Sequence, residues 1–126
     1  MAHTITYNPD LHIIEIKYQG NATVSELREV FSESMKVARE QDCFLFLSDF
    51  SEAKLKLSTL DIYELPDILS GTFASSGIPA YKLKRALIAE KDLEDYRFFE
   101  TVTSNRGQYT KIFQDVARAR EWLLKK

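Results

Sequence analysis

The run Cys43-Phe44-Leu45-Phe46-Leu47 is apolar without interruption and then breaks into Ser48-Asp49-Phe50-Ser51. Amphipathic helices and half-exposed strands interleave apolar and polar residues, so a short unbroken run reads as a strand covered on both faces. Such strands belong to parallel sheets, because each crossover helix is laid on a sheet face. The run therefore points to an α/β architecture, with a buried strand over 43–48 and an Asp-x-Ser loop after it. In open α/β sheets the loops leaving the carboxyl ends of strands form the binding crevice. Asp49 and Ser51 are thus candidate ligand or partner residues. They read equally as turn formers whose side chains bond to their own loop.

The flanking sequence supplies the other layers. Residues 4–7 and 11–18 read as two strands joined at the turn-forming Asn8-Pro9-Asp10. Ile14, Ile16 and Tyr18 share one face, with His12 in phase, while Glu15 and Lys17 share the other. Thr23 and Glu26 have the spacing of a capping box, and Val24, Leu27, Val30, Phe31, Met35 and Ala38 recur at helical period, predicting a helix to about Gln41. Ser58 with Asp61 opens a second helix, in which Pro66 either kinks the chain or starts a new turn. Residues 71–79, with two glycines and a proline, read as a loop. Arg85–Ala89 reads as a core strand, 93–105 as a helix stopped at Gly107, and 109–113 as a short strand. Asp115 caps a last helix that turns Val116, Ala119, Trp122 and Leu123 inward. The expected order is ββαβαβαβα: one domain over residues 1–126, with a mainly parallel sheet that carries an N-terminal antiparallel hairpin.

Composition narrows the function. A chain of 126 residues with a net charge of −2 offers no clustered basic face for nucleic acid. No apolar run reaches spanning length, and the start lacks a signal-peptide pattern, so no integral membrane segment is expected. One cysteine fits a reducing, cytoplasmic setting, and with two histidines it leaves no ligand spacing for zinc. Cys43 reads as a small core residue. There is no Gly-rich phosphate loop and no supported Ser–His–Asp arrangement. Asp49 and Glu90 at neighbouring strand ends are the nearest thing to an acid–base pair, which almost any α/β domain offers. No cofactor and no catalytic residue are assigned.

Two stretches carry a resemblance. Phe113-Gln114-Asp115-Val116-Ala117-Arg118-Ala119-Arg120-Glu121-Trp122-Leu123 joins a strand-end aromatic, a capping Asp and a Trp-Leu pair. The opening hairpin with Gly20 leads into a capped amphipathic helix and a strand ending in Asp49-Phe50-Ser51. In pattern, nearly the whole chain resembles the SpoIIAA-like proteins, bacterial domains grouped with STAS and SEC14-type folds. That resemblance implies a non-enzymatic regulatory or protein-interaction module. Anti-sigma-factor antagonists of the STAS type carry an Asp-Ser-Ser-Gly-type segment at the helix after this strand, with a phosphorylated serine. The corresponding place here reads Leu57-Ser58-Thr59-Leu60, without the Asp and the Gly, and makes Ser58, with Thr59 beside it, a candidate phosphorylation site. The link to SEC14-type folds implies an alternative, an apolar small molecule or lipid held under the 58–81 segment.

Each candidate has a plain structural counterpart. Ser58 is also a good N-cap. Phe73, Ile78 and Tyr81 either line a binding loop or tuck into the core. The helix from Ser58 is apolar nearly all round, through Leu60, Ile62, Tyr63, Leu65, Ile68 and Leu69, so it is buried beneath something or faces a ligand or second subunit. The expected partner is a protein or an apolar small molecule, and a homodimer is compatible with the same surface.

Overall fold

The computed structural model describes residues 2–78, 82–90, 93–105 and 109–125. Along the chain run β1 (Ala2–Asn8), β2 (Ile13–Ala22), α1 (Val24–Gln41), β3 (Leu45–Leu55), α2 (Thr59–Ser76), β4 (Lys84–Ile88), α3 (Leu93–Asn105), β5 (Tyr109–Phe113) and α4 (Val116–Leu124). The five strands form one sheet in the order β1-β2-β3-β4-β5. β1 and β2 are antiparallel and every other pairing is parallel, as the strand–helix alternation requires.

The apolar run behaves as its composition dictates. Phe46 packs into the core shared with α1, α2 and α3, and Leu47 into a second core with Ala119 and Leu123 of α4. The sheet thus carries three helices on one face and one on the other. At nine residues α4 is too short to be stable alone, and its docking depends on tertiary contacts. Lys84 Nζ donates to the carbonyls of Trp122 and Lys125 at the helix end, where a cation meets the negative pole of the dipole, and it lies 4.5 Å from the Trp122 ring.

Four expectations need correction. The strand does not stop at residue 48: β3 runs to Leu55 alongside a β2 that itself continues to Ala22. Its register slips by one, Lys17 facing Asp49 and Gln19 facing Glu52, so Phe50 and Ser51 lie opposite Tyr18 in a β-bulge. Asp49 Oδ1 accepts the Ser51 amide at 2.9 Å. The Asp-x-Ser signal was real, but it serves a bulge inside a strand rather than a loop. Second, residues 71–76 are helical: α2 carries Pro66 within it and ends at Gly77, whose φ of +74° is the left-handed stop. Third, Asp49 lies beside Ile88 in register, while the strand end at Glu90 lies beyond the paired residues. Fourth, His12 is not a partly buried strand residue. It sits exposed in the hairpin turn with φ of +56°, its Nε2 donating to the Asp42 carbonyl at 3.0 Å while Nδ1 accepts from the Tyr7 hydroxyl. Gly107, the expected helix stop, and Tyr81 lie outside the described residues, as does the side chain of Phe73.

Candidate functional site

The pleat sends alternate residues of each strand toward the three-helix layer. Two cross-strand rows result: Tyr7, Ile14, Phe46, Arg85, Thr110 and, one step along, Ile5, Ile16, Ser48, Leu87, Ile112. Both rows are apolar in the middle of the sheet except at Arg85 and Ser48. α1 and α3 flank these rows, whereas α2 packs mainly against α1 and α3 and so forms a roof.

Under that roof is a cavity of about 60 Å³. Its floor is Ile16, Tyr18, Phe46, Ser48, Arg85 and Leu87; Leu27, Phe31, Tyr96 and Phe99 form the walls, and Ile62, Leu65 and Leu69 hang from α2. The surface is overwhelmingly apolar. By volume it holds a few water-sized groups.

The polar groups on the floor are few and deeply placed. Arg85 is buried, with 6% of its surface exposed, and its Nη2 donates to the Thr110 hydroxyl at 3.1 Å. Its guanidinium lies 5.5 Å from the Phe31 ring and 5.7 Å from the Phe99 ring, a cation between aromatic faces from α1 and α3. Burial pushes Arg85 down to about 10, opposed by the nearby Tyr18 phenol. Tyr18 stacks on Phe50 with ring centroids 4.2 Å apart, and Phe50 meets Tyr96 at 5.4 Å. Burial drives the Tyr18 phenol well above the ordinary tyrosine range, partly offset by Arg85 and by a hydrogen bond with Ser48.

The residues singled out in the sequence are not brought together. Asp49 is half-buried on the α4 side of β3, lining a shallow groove of about 550 Å³ with Lys17, Glu15 and Arg120. There Arg120 pairs with Glu15, and Lys17 lies 3.4 Å from Glu52. Ser58 is exposed at the start of α2, its Oγ accepting the Asp61 amide at 3.1 Å while its own amide donates to Asp61 Oδ2 at 2.9 Å. Both halves of the capping box are therefore formed, with Thr59 exposed beside them. Ile78 is buried and belongs to the core against which the cavity residues pack. Among the described residues no three His, Cys, Asp or Glu side chains are placed to hold a metal, and no helix is long and apolar enough to cross a membrane.

Tyr18, Ser48 and Arg85 escaped the sequence reading as site residues. The available signal was an arginine in phase with Leu87 and Ala89, at the start of an otherwise apolar strand.

The fold has a solved counterpart. Over 97% of this chain and 92% of the other, it is similar to the crystal structure of an uncharacterized protein of the DUF3478 family with a SpoIIAA-like fold from Shewanella loihica PV-4, with a TM-score of 0.54 and 19% sequence identity. At that identity the likeness shows a SpoIIAA-like α/β fold, in agreement with the pattern of the sequence. No protein-family model matches the chain, and no curated protein matches it either.

Proposed function

We propose that this protein is a binding module for an apolar small molecule, held in the cavity between the sheet and α2. The supporting observation is the cavity's lining: apolar side chains from three strands and three helices surround about 60 Å³ of space. Interiors are close-packed, and an unfilled apolar volume forfeits dispersion contacts that a ligand would restore. A chain-like ligand exceeds this volume, so α2 would shift outward to admit it. α2 is the helix suited to that motion, because it rests on other helices.

A neutral fluorescent probe, phenylnaphthylamine, tests the reading. The expected result is one saturable site per chain, abolished by Leu65→Phe, which fills the space under α2. Absence of saturable binding, or binding that Leu65→Phe leaves intact, removes the proposal.

The regulatory reading keeps a narrower basis. Leu60 is 62% exposed and Tyr63 51%, so the outer side of α2 presents apolar area that a protein partner would cover. Ser58 has a complete structural role as a cap, and a phosphate there would sit beside Asp61. Partner binding through the outer side of α2 and ligand binding beneath it would be coupled through the same helix.

A further inference from the structure

We infer that a second copy of this chain pairs through β1, the two strands running antiparallel about a two-fold axis at Ile5, so that two five-stranded sheets become one. This is independent of what the cavity holds.

The two edges of the sheet differ, and the difference is the argument. An edge strand presents unpaired N–H and C=O groups that another strand can take up, and folds block such edges with charge, proline, bulges, short strands or a covering group. β5 is blocked: it is five residues long, carries the exposed Lys111, and its Ile112 amide donates to Glu100 Oε2 of α3 at 2.9 Å. β1 has none of these devices. It is seven residues long, pairs with β2 from Ala2 to Asn8 without a slip in register, and contains no proline, lysine, arginine or carboxylate.

The strand is also complementary to itself. Centred on Ile5, an antiparallel pair sets Ile5 against the partner's Ile5, His3 against the partner's Tyr7 and Thr4 against the partner's Thr6, as an isologous contact requires. Threonine pairs and pairs of an aromatic or β-branched residue are favourable cross-strand contacts. Ile5 and Tyr7 lie on the side of the three-helix layer and are only partly buried against its core, because β1 has a strand on one side only. A second copy would extend that layer across the axis and cover them. Thr4 and Thr6 are exposed on the opposite face, so no charge of β1 meets its own copy there.

Sedimentation equilibrium of the wild-type protein and two charge variants tests this. The wild type should be a dimer. Thr4→Lys/Thr6→Lys and Thr4→Glu/Thr6→Glu each set like charges opposite one another across the axis and should weaken dimerisation at least tenfold. An equimolar mixture of the two restores opposite charges and should dimerise as well as the wild type. Within one chain Thr4 faces Lys17 and Thr6 faces Glu15, so each variant gains one favourable and one unfavourable pair. A monomeric wild type overturns the proposal and leaves the edge to a strand of another protein. A dimer that both variants leave intact overturns it too, since the contact would then lie elsewhere, as on the outer side of α2. Variants that stay monomeric when mixed refute the pairing centred on Ile5. Should either variant not fold, hydrogen exchange of the wild type at rising concentration decides: β1 amides should gain protection as the dimer forms, and unchanged β1 amides refute the edge contact.

Discussion

Arg85 and Tyr18 are neighbours whose burial pulls their protonation in opposite senses. Tyr18 binds its proton more tightly in the fold than in the unfolded chain, whose phenol titrates at 10.0. Its contribution is therefore fully present below pH 10 and is lost as pH rises further. Arg85 is the reverse: between about 10 and its ordinary 12.5 the unfolded chain holds more protons, so this group alone makes stability rise with pH. The two slopes oppose each other over the same alkaline window. A direct consequence can be read spectroscopically. Of the six tyrosines, Tyr18 should stay un-ionised far into the alkaline range. Phenolate absorbance of the wild type and Tyr18→Phe should then superimpose up to alkaline unfolding; an extra phenolate in the folded wild type would refute the burial argument. The sequence placed Tyr18 on the inner face through alternation with Ile14 and Ile16, but nothing local revealed that Arg85 would meet it from two strands away.

At the scale of the element, α2 shows how local signals set ends and tertiary contacts set the middle. Its start was legible, since Ser58 and Asp61 have capping-box spacing and form both hydrogen bonds. Ser58→Ala should cost about 1 kcal/mol of stability, and Ser58→Asp less, because aspartate caps as well as serine; the midpoint of urea unfolding measures both. An Asp variant no more stable than the Ala variant would show that Asp61 repels it. The end was misread. Gly71, Thr72, Ser75 and Ser76 look like a loop in composition, yet the helix continues to Ser76, and Ile78 just beyond it is buried in the same core as Leu65 and Leu69. Gly77 then ends the helix at a φ of +74°, with open space where a Cβ would stand. Gly77→Ala should thus cost about 1–2 kcal/mol through backbone conformation alone; a neutral effect would mean that the turn relaxes to negative φ. In β3 the mistake was parallel: Asp49 and Ser51 have turn chemistry, and the strand spends it on a bulge.

For the molecule as a whole, the layering predicts uneven stability. α1 packs on β1 and β2 as well as on α2, whereas α2 spans α1 and α3 above a cavity. Few contacts bind α2 to the sheet, and local opening should involve it first. Native-state hydrogen exchange should show central amides of α2 exchanging at least tenfold faster than those of α1, with phenylnaphthylamine narrowing the gap; equal protection in the free protein would argue against a roof that lifts. Taken alone, the sequence determined the class and order of the elements, the antiparallel hairpin, the doubly buried β3, and the caps at Thr23, Ser58 and Asp115. Those features follow from periodicity and from hydrogen bonds between residues close in the chain. Only the tertiary structure decided that α2 lies across its neighbours rather than on the strands, that a bulge absorbs Asp49 and Ser51, and that Tyr18, Ser48 and Arg85 share one cavity floor. Those outcomes depend on register between strands far apart in sequence, where a single-residue slip sends a side chain to the other face.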